Sequence, residues 1–179
     1  MKPPVGLAIV AIAIATNASA QAPAPYAGMQ ARAVKALSDE QVADLRAGRG
    51  MGLALAAELN GYPGPRHILE LADSLALTGE QRAHVQQMFD AMTAEAIPLG
   101  TKLIDAEEKL DRLFADRSVT PASLEAATQT VGAVQASLRA AHLRYHLGTL
   151  KVLTPEQVRR YAELRGYGST TPRHDHHRQ

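Results

Sequence analysis

Apolar residues recur at three- and four-residue spacing along most of this chain, which is the pattern of amphipathic α-helices. The pattern is longest in two segments, about 80–114 and 121–150. The first segment carries Val85, Met88, Met92, Leu99, Leu103, Ala106, Leu110 and Leu113 on one face. The second segment carries Leu124, Ala127, Val131, Val134, Leu138, Ala141, Tyr145 and Gly148. Because only a short loop separates the two segments, we predict a long antiparallel helical hairpin.

Helix starts are marked by three segments that place a hydroxyl residue before a helix and a glutamine three positions later. They lie at 37–41, 77–81 and 153–157. Such a pair can form a capping box, in which each side chain hydrogen-bonds the backbone N–H of the other residue. Two of the segments read Leu-Thr-x-x-Gln, and their predicted cap residues are Leu77, Thr78, Gln81, Leu153, Thr154 and Gln157.

Shorter helices are predicted before the hairpin. Residues 53–59 form a small helix, 60–64 form a turn, and Pro65 opens a helix that continues to about Leu75. The glycine-rich stretch 48–52 is not a nucleotide-binding loop, because no strand precedes it and no Lys-Ser or Lys-Thr follows it. Aromatic residues make up only 4% of the chain and tryptophan is absent. We therefore predict an all-α fold, a hairpin with additional N-terminal helices.

The two ends of the chain differ from the helical part. Lys2, an apolar stretch at 5–15 and the small residues at 18–20 are typical of a secretory signal peptide, cleaved before Gln21. The apolar stretch is shorter than the roughly 20 residues that span a bilayer, so we expect a periplasmic mature protein that does not span the membrane. We divide the chain into a signal peptide (1–20), a flexible leader (21–28), a helical domain (29–167) and a disordered His-rich tail (168–179).

The net charge of the chain and the absence of catalytic motifs limit the classes of function that the sequence allows. The chain has 19 basic and 18 acidic residues, so the loss of Lys2 with the signal peptide leaves 18 of each and no electrostatic case for nucleic-acid binding. Cysteine is absent, which excludes disulfides and a thiol nucleophile. No Gly-x-Ser-x-Gly or His-Glu-x-x-His motif occurs. We expect a binding protein and not an enzyme.

A candidate metal site lies on the predicted hairpin. His142 and His146 are four residues apart on one helix, a spacing that places two imidazoles side by side for a transition-metal ion. Pairing the two helices about their loop sets Glu95 and Asp90 opposite this region. These four side chains could bind Zn²⁺, Ni²⁺, Co²⁺ or Cu²⁺. The alternative is that Glu95 and His142 only hydrogen-bond each other.

Other metal candidates are weaker. His84 lies about three helical turns from Glu95, and His67 lies in a different helix, so the sequence assigns neither to the site. Met88 and Met92 could bind a soft metal, but methionines at helical spacing more often fill a core. The tail carries a loose candidate group, or alternatively a solvated polar end, in His174, His176 and His177.

The second long segment also carries Leu143, Leu147 and Leu150 on a face turned away from the hairpin seam. An apolar stripe of this kind usually marks an interface. We predict that it contacts a second copy of the chain in a homodimer or a client protein, with burial by other helices of the same chain as the alternative.

The signal peptide, the hairpin and the two Leu-Thr-x-x-Gln segments together resemble the periplasmic Spy/CpxP family and its metal-linked relatives of the ZraP and CnrX types. The resemblance covers about residues 66–166. It implies an all-helical, cradle-like fold, usually a homodimer, that serves the envelope stress response.

The resemblance allows two functions. The first is a periplasmic stress protein that binds transition-metal ions and reports metal excess to a membrane-bound sensor partner. The second is a metal-independent, ATP-independent chaperone that holds unfolded proteins on its apolar helical face. Neither function involves catalysis or an organic cofactor.

Overall fold

The computed structural model describes residues 24–167, which fold into six α-helices and contain no strand. The helices are α1 (Asp39–Arg46), α2 (Leu55–Glu58), α3 (Pro65–Glu70), α4 (Gly79–Ala115), α5 (Pro121–Leu150) and α6 (Pro155–Leu164), after a 3-10 turn at Met29–Ala31. The predicted all-α class is confirmed. None of these helices is long and apolar enough to cross a membrane. The predicted signal peptide, residues 21–23 of the leader, and the tail with its three candidate histidines lie outside the described residues.

Capping boxes of a hydroxyl residue and a glutamine begin three of the helices, as the sequence predicts, and a box between Thr120 and Ser123 begins α5. In each of the three glutamine boxes the glutamine N–H donates to the hydroxyl, and the glutamine side chain accepts from the backbone N–H of the cap residue. These boxes pair Ser38 with Gln41, Thr78 with Gln81, and Thr154 with Gln157. The hydroxyl pattern therefore fixes where α1, α4 and α6 start.

The predicted hairpin is formed by α4 and α5, which are 37 and 30 residues long and pack against each other. Facing pairs show the register: a Cβ added to Gly148 would lie 3.0 Å from the sulfur of Met88. Glu95 on α4 likewise binds Arg144 on α5.

The first core cluster joins α1 to the hairpin. Its buried residues are Val34, Leu45, Ala96, Leu103, Ile104 and Leu138. The close approach depends on Gly100, because a Cβ at that position would lie 2.3 Å from the carbonyl oxygen of Leu45. This contact fixes the position of the glycine-rich segment that follows α1.

The second core cluster joins α3 and α6 to the start of α4, through Ile68, Leu75, Val85, Leu153 and Tyr161. Here the two Leu-Thr-x-x-Gln segments meet: the amide of Gln81 donates to Gln157 at 2.9 Å, and that of Gln157 donates back at 3.0 Å. Their amides also donate to the carbonyls of Val152 and Leu75. The glutamines of the repeated motif therefore join the start of α4 to the start of α6 through reciprocal hydrogen bonds.

Helix α3 is shorter than the sequence predicts, since it ends at Glu70 and not near Leu75. Residues 71–76 form turns that end at Ala76, whose φ of 49° is left-handed. The turns are stabilised by burial of Ala72 and Leu75, because apolar packing there outweighs helix propensity.

Candidate metal site

A cavity of about 280 Å³ lies between the glycine-rich segment after α1, the start of α3, and the hairpin. Its walls include the imidazoles of His67, His142 and His146 and the thioether of Met92. The glycine-rich segment closes one side, with Gly50 beside the His142 ring. The cavity therefore brings together three histidines from two helices.

His142 is the most deeply placed of the three histidines, with 2% of its surface exposed. Its Nε2 atom is buried and has no hydrogen-bond partner among residues 24–167. Burial lowers the pKa of His142, and nearby His146 lowers it further, while the charge of Glu95 acts in the opposite direction. The ring is therefore neutral over a wider pH range than a free histidine, as metal ligation requires.

His146 is buried one turn further along α5, and its ring is held by the turn between α2 and α3. Its Nδ1 atom lies 2.6 Å from the carbonyl oxygen of Tyr62, to which it donates. In the neutral ring the lone pair is then on Nε2. Nε2 lies against Gly64, where an added Cβ would stand 2.7 Å away, so the ring needs a glycine there.

His67 reaches the same cavity from α3, although the sequence does not assign it there. Its Nδ1 lies 3.2 Å from Oε1 of Glu58, so the neutral ring again carries its lone pair on Nε2. The side chain is 34% exposed, which places it at the mouth of the cavity. The three imidazole rings therefore lie at different depths in the cavity.

Glu58 connects the histidines to the rest of the fold. Only 6% of its surface is exposed, and its carboxylate accepts hydrogen bonds from the Gly64 N–H, the His67 ring and the Tyr161 hydroxyl. It also lies 3.8 Å from Nδ1 of His146. Through these contacts one buried carboxylate ties α2, α3, α5 and α6 together around the cavity.

The carboxylate of Glu58 is ionised in this setting. Burial by itself would raise its pKa, but hydrogen bonds from His67 and Tyr161, the charge of His67 and the Gly64 N–H outweigh burial and lower the pKa to about 2. Burial and the nearby carboxylate raise the pKa of Tyr161 well above its usual range. Tyr161 is therefore the donor in the bond between them.

The carboxylates predicted for the site are engaged elsewhere. Glu95 binds Arg144 through both oxygens, at 2.8 and 3.0 Å, so it does not form the alternative hydrogen bond with His142. Asp90 is exposed and accepts from Gln86 at 2.8 Å. The structure thus brings His142 and His146 to one cavity but does not bring these two carboxylates with them.

No three His, Asp or Glu side chains within residues 24–167 lie close enough together to hold one ion. The donor chemistry nevertheless fits a transition metal, because imidazoles line the cavity and the buried Nε2 of His142 has no hydrogen-bond partner among residues 24–167. His142 and His146 are the residues that would hold an ion there.

The apolar face predicted on α5 is partly covered by α2. Leu143 and Leu150 are half-buried, whereas 53% of Leu147 is exposed. Leu143 and Leu147 line a shallow depression together with Tyr62 and two alanines of α2. Burial within the chain therefore accounts for part of this face and leaves Leu147 open.

Sequence reasoning missed His67, Glu58 and Tyr161, because the packing of α3 and α6 on the hairpin brings them together. One signal was present: Glu58 is the only charged residue in the segment 53–59. A single carboxylate in an otherwise apolar helix suggests a buried, paired group.

A family model described as heavy-metal resistance matches residues 50–160, which contain the three histidines and Glu58. No curated protein and no solved structure matches the chain.

Proposed function

Because the chain belongs to the heavy-metal resistance family, we propose that it is a non-catalytic periplasmic protein that binds transition-metal ions and responds to metal excess. This family falls within the Spy/CpxP-like group of periplasmic proteins with the Leu-Thr-x-x-Gln motif, so the resemblance found in the sequence is confirmed.

The observation that carries the proposal concerns Nε2 of His142, which is buried in a cavity shared with His146 and has no hydrogen-bond partner in the described part of the chain. A buried polar atom without a hydrogen bond costs free energy, and a metal ion would satisfy it. His146 supports this role, since a backbone carbonyl accepts from its Nδ1, and metal-binding histidines usually donate their other ring N–H to a carbonyl or a carboxylate in this way.

The ligand chemistry selects the class of ion. Imidazole nitrogens suit Zn²⁺, Ni²⁺, Co²⁺ and Cu²⁺, whereas Mg²⁺ and Ca²⁺ prefer oxygen ligands. Because burial keeps His142 neutral, an ion does not have to displace a proton from it near neutral pH. The tail histidines, His174, His176 and His177, would add a second and looser binding group.

The test is calorimetric titration of Zn²⁺, Ni²⁺ and Cu²⁺ into full-length protein whose tail histidines are replaced by alanine. We expect one ion per chain at micromolar affinity or tighter. Binding should be lost in His142→Ala with His146→Ala and kept in His84→Ala, a matched control because His84 is exposed on α4. Equal heats in all three proteins would refute the proposal.

A second candidate function is client holding, favoured by the exposed Leu147 in its apolar depression. Such a surface suits an unfolded segment, a sensor domain or a second copy in a homodimer. In this case Leu147→Asp should abolish suppression of client aggregation, and the two histidine changes should leave it intact. The opposite pattern would exclude this role for the α5 face.

A further inference from the structure

We propose that His67 is a third nitrogen ligand of the cavity and that the buried carboxylate of Glu58 orients it. This inference rests on the proposed metal-binding function and adds a ligand from outside the hairpin. It would make α3 part of the metal site.

The position of His67 supports a ligand role. The ring lines the same cavity as His142 and His146, and it comes from a separate helix. Its Nδ1 is held by Glu58 at 3.2 Å, so in the neutral form of the ring the lone pair would be on Nε2. A histidine whose far nitrogen binds a carboxylate is the usual arrangement at protein metal centres.

Glu58 hydrogen-bonds one histidine and lies close to a second. Oε1 accepts from His67, and Oε2 lies 3.8 Å from Nδ1 of His146. The carboxylate is itself fixed by the Tyr161 hydroxyl and the Gly64 N–H. Its negative charge beside the cavity would also offset part of the charge of a divalent cation. Glu58 is therefore a positioning residue, since it acts through the imidazole of His67.

The depth of the rings indicates how the site would assemble. His142 and His146 are 2% and 7% exposed and form the floor, whereas the His67 side chain is 34% exposed at the mouth. No three such groups within residues 24–167 are placed to hold one ion together. Binding would therefore draw the His67 ring inward, and the ring is the least packed of the three.

The predicted ligand is a divalent cation of the zinc and cobalt class. Three imidazoles leave one coordination position open to water in a four-coordinate site. No thiolate and no carboxylate would be in direct contact with the ion in this site.

The test uses Co²⁺, whose visible absorption reports its ligands, and Zn²⁺ competition for affinity, in full-length protein with the three tail histidines replaced by alanine. We expect His67→Ala to weaken Zn²⁺ binding at least about tenfold and to lower the intensity of the Co²⁺ bands. His67→Gln, which keeps the side chain's bulk and polarity, should behave in the same way, and the exposed control His84→Ala should match the parent.

The Glu58→Gln variant tests whether Glu58 positions the His67 ring or binds the ion itself. Loss of a carboxylate that hydrogen-bonds a metal-binding histidine typically weakens metal binding by about 10- to 100-fold. The Co²⁺ spectrum at saturation should stay that of the parent, because no ligand is lost. A changed spectrum at saturation would overturn the positioning role of Glu58.

Different variants test the third-ligand proposal and the proposed metal-binding function. If His142→Ala abolishes binding while both His67 variants bind as the parent does, the third-ligand proposal is wrong and the proposed function stands. If His142→Ala and His146→Ala also bind as the parent does, the proposed function is wrong as well.

Discussion

Acidification should remove a defined part of the stability, because the carboxylate of Glu58 is ionised and buried in the folded protein. Its folded pKa of about 2 lies below the ordinary value of 4.5. The unfolded chain therefore takes up a proton first as pH falls. The stabilisation is complete above about pH 4.5 and is lost as pH falls through about 2. At about 1.4 kcal/mol per pKa unit, the difference amounts to about 3 kcal/mol.

The assay is urea unfolding followed by far-UV circular dichroism, from neutral pH down to about 2, for the wild type and Glu58→Gln. The free-energy difference between these two proteins should shrink by about 3 kcal/mol across that range, since glutamine does not titrate. Glu125→Gln, an exposed change on α5, should show no comparable trend. A difference between wild type and Glu58→Gln that stays constant with pH would refute the assignment of Glu58 as the buried charged centre.

Three further predictions concern other contacts. Gln81→Ala and Gln157→Ala should each destabilise the fold by about 1–3 kcal/mol, and a double-mutant cycle should give a coupling free energy of about 1 kcal/mol. Purely additive effects would contradict the reciprocal hydrogen bonds between the two glutamines. Gly64→Ala should cost about 1–3 kcal/mol in urea unfolding and weaken Zn²⁺ binding, because the new methyl group would displace the His146 ring; unchanged affinity would argue against His146 as a ligand. Leu147→Asp should change the unfolding free energy by less than about 0.5 kcal/mol, because the side chain is exposed; a larger loss would show that Leu147 is structural.

Much of the fold follows from local chemistry that the sequence displays. The hydroxyl residue and glutamine of each capping box fix the starts of α1, α4 and α6, because the hydrogen bonds involved span only three residues. The hairpin follows from the apolar spacing of two long segments joined by a short loop. The end of α3 does not follow, because burial of Leu75 in a turn overrides helix propensity.

The candidate site was only half predictable. His142 and His146 share a helix, so their spacing alone brings them together. Helical spacing could not show that Glu95 binds Arg144, since the choice between neighbouring partners depends on rotamers. His67 reaches the cavity and contacts Glu58 only because the turn at 60–64 folds α3 back over α5. That contact joins residues distant in sequence, which periodicity does not encode.

The most direct test of metal binding in the cavity is zinc X-ray absorption on the loaded protein whose tail histidines are replaced by alanine. We expect nitrogen scatterers at about 2.0–2.1 Å with the multiple scattering of imidazole rings. These signals should disappear in His142→Ala with His146→Ala. A zinc shell of oxygen alone, or an imidazole signal that survives both substitutions, would contradict the assignment of this cavity as the metal site.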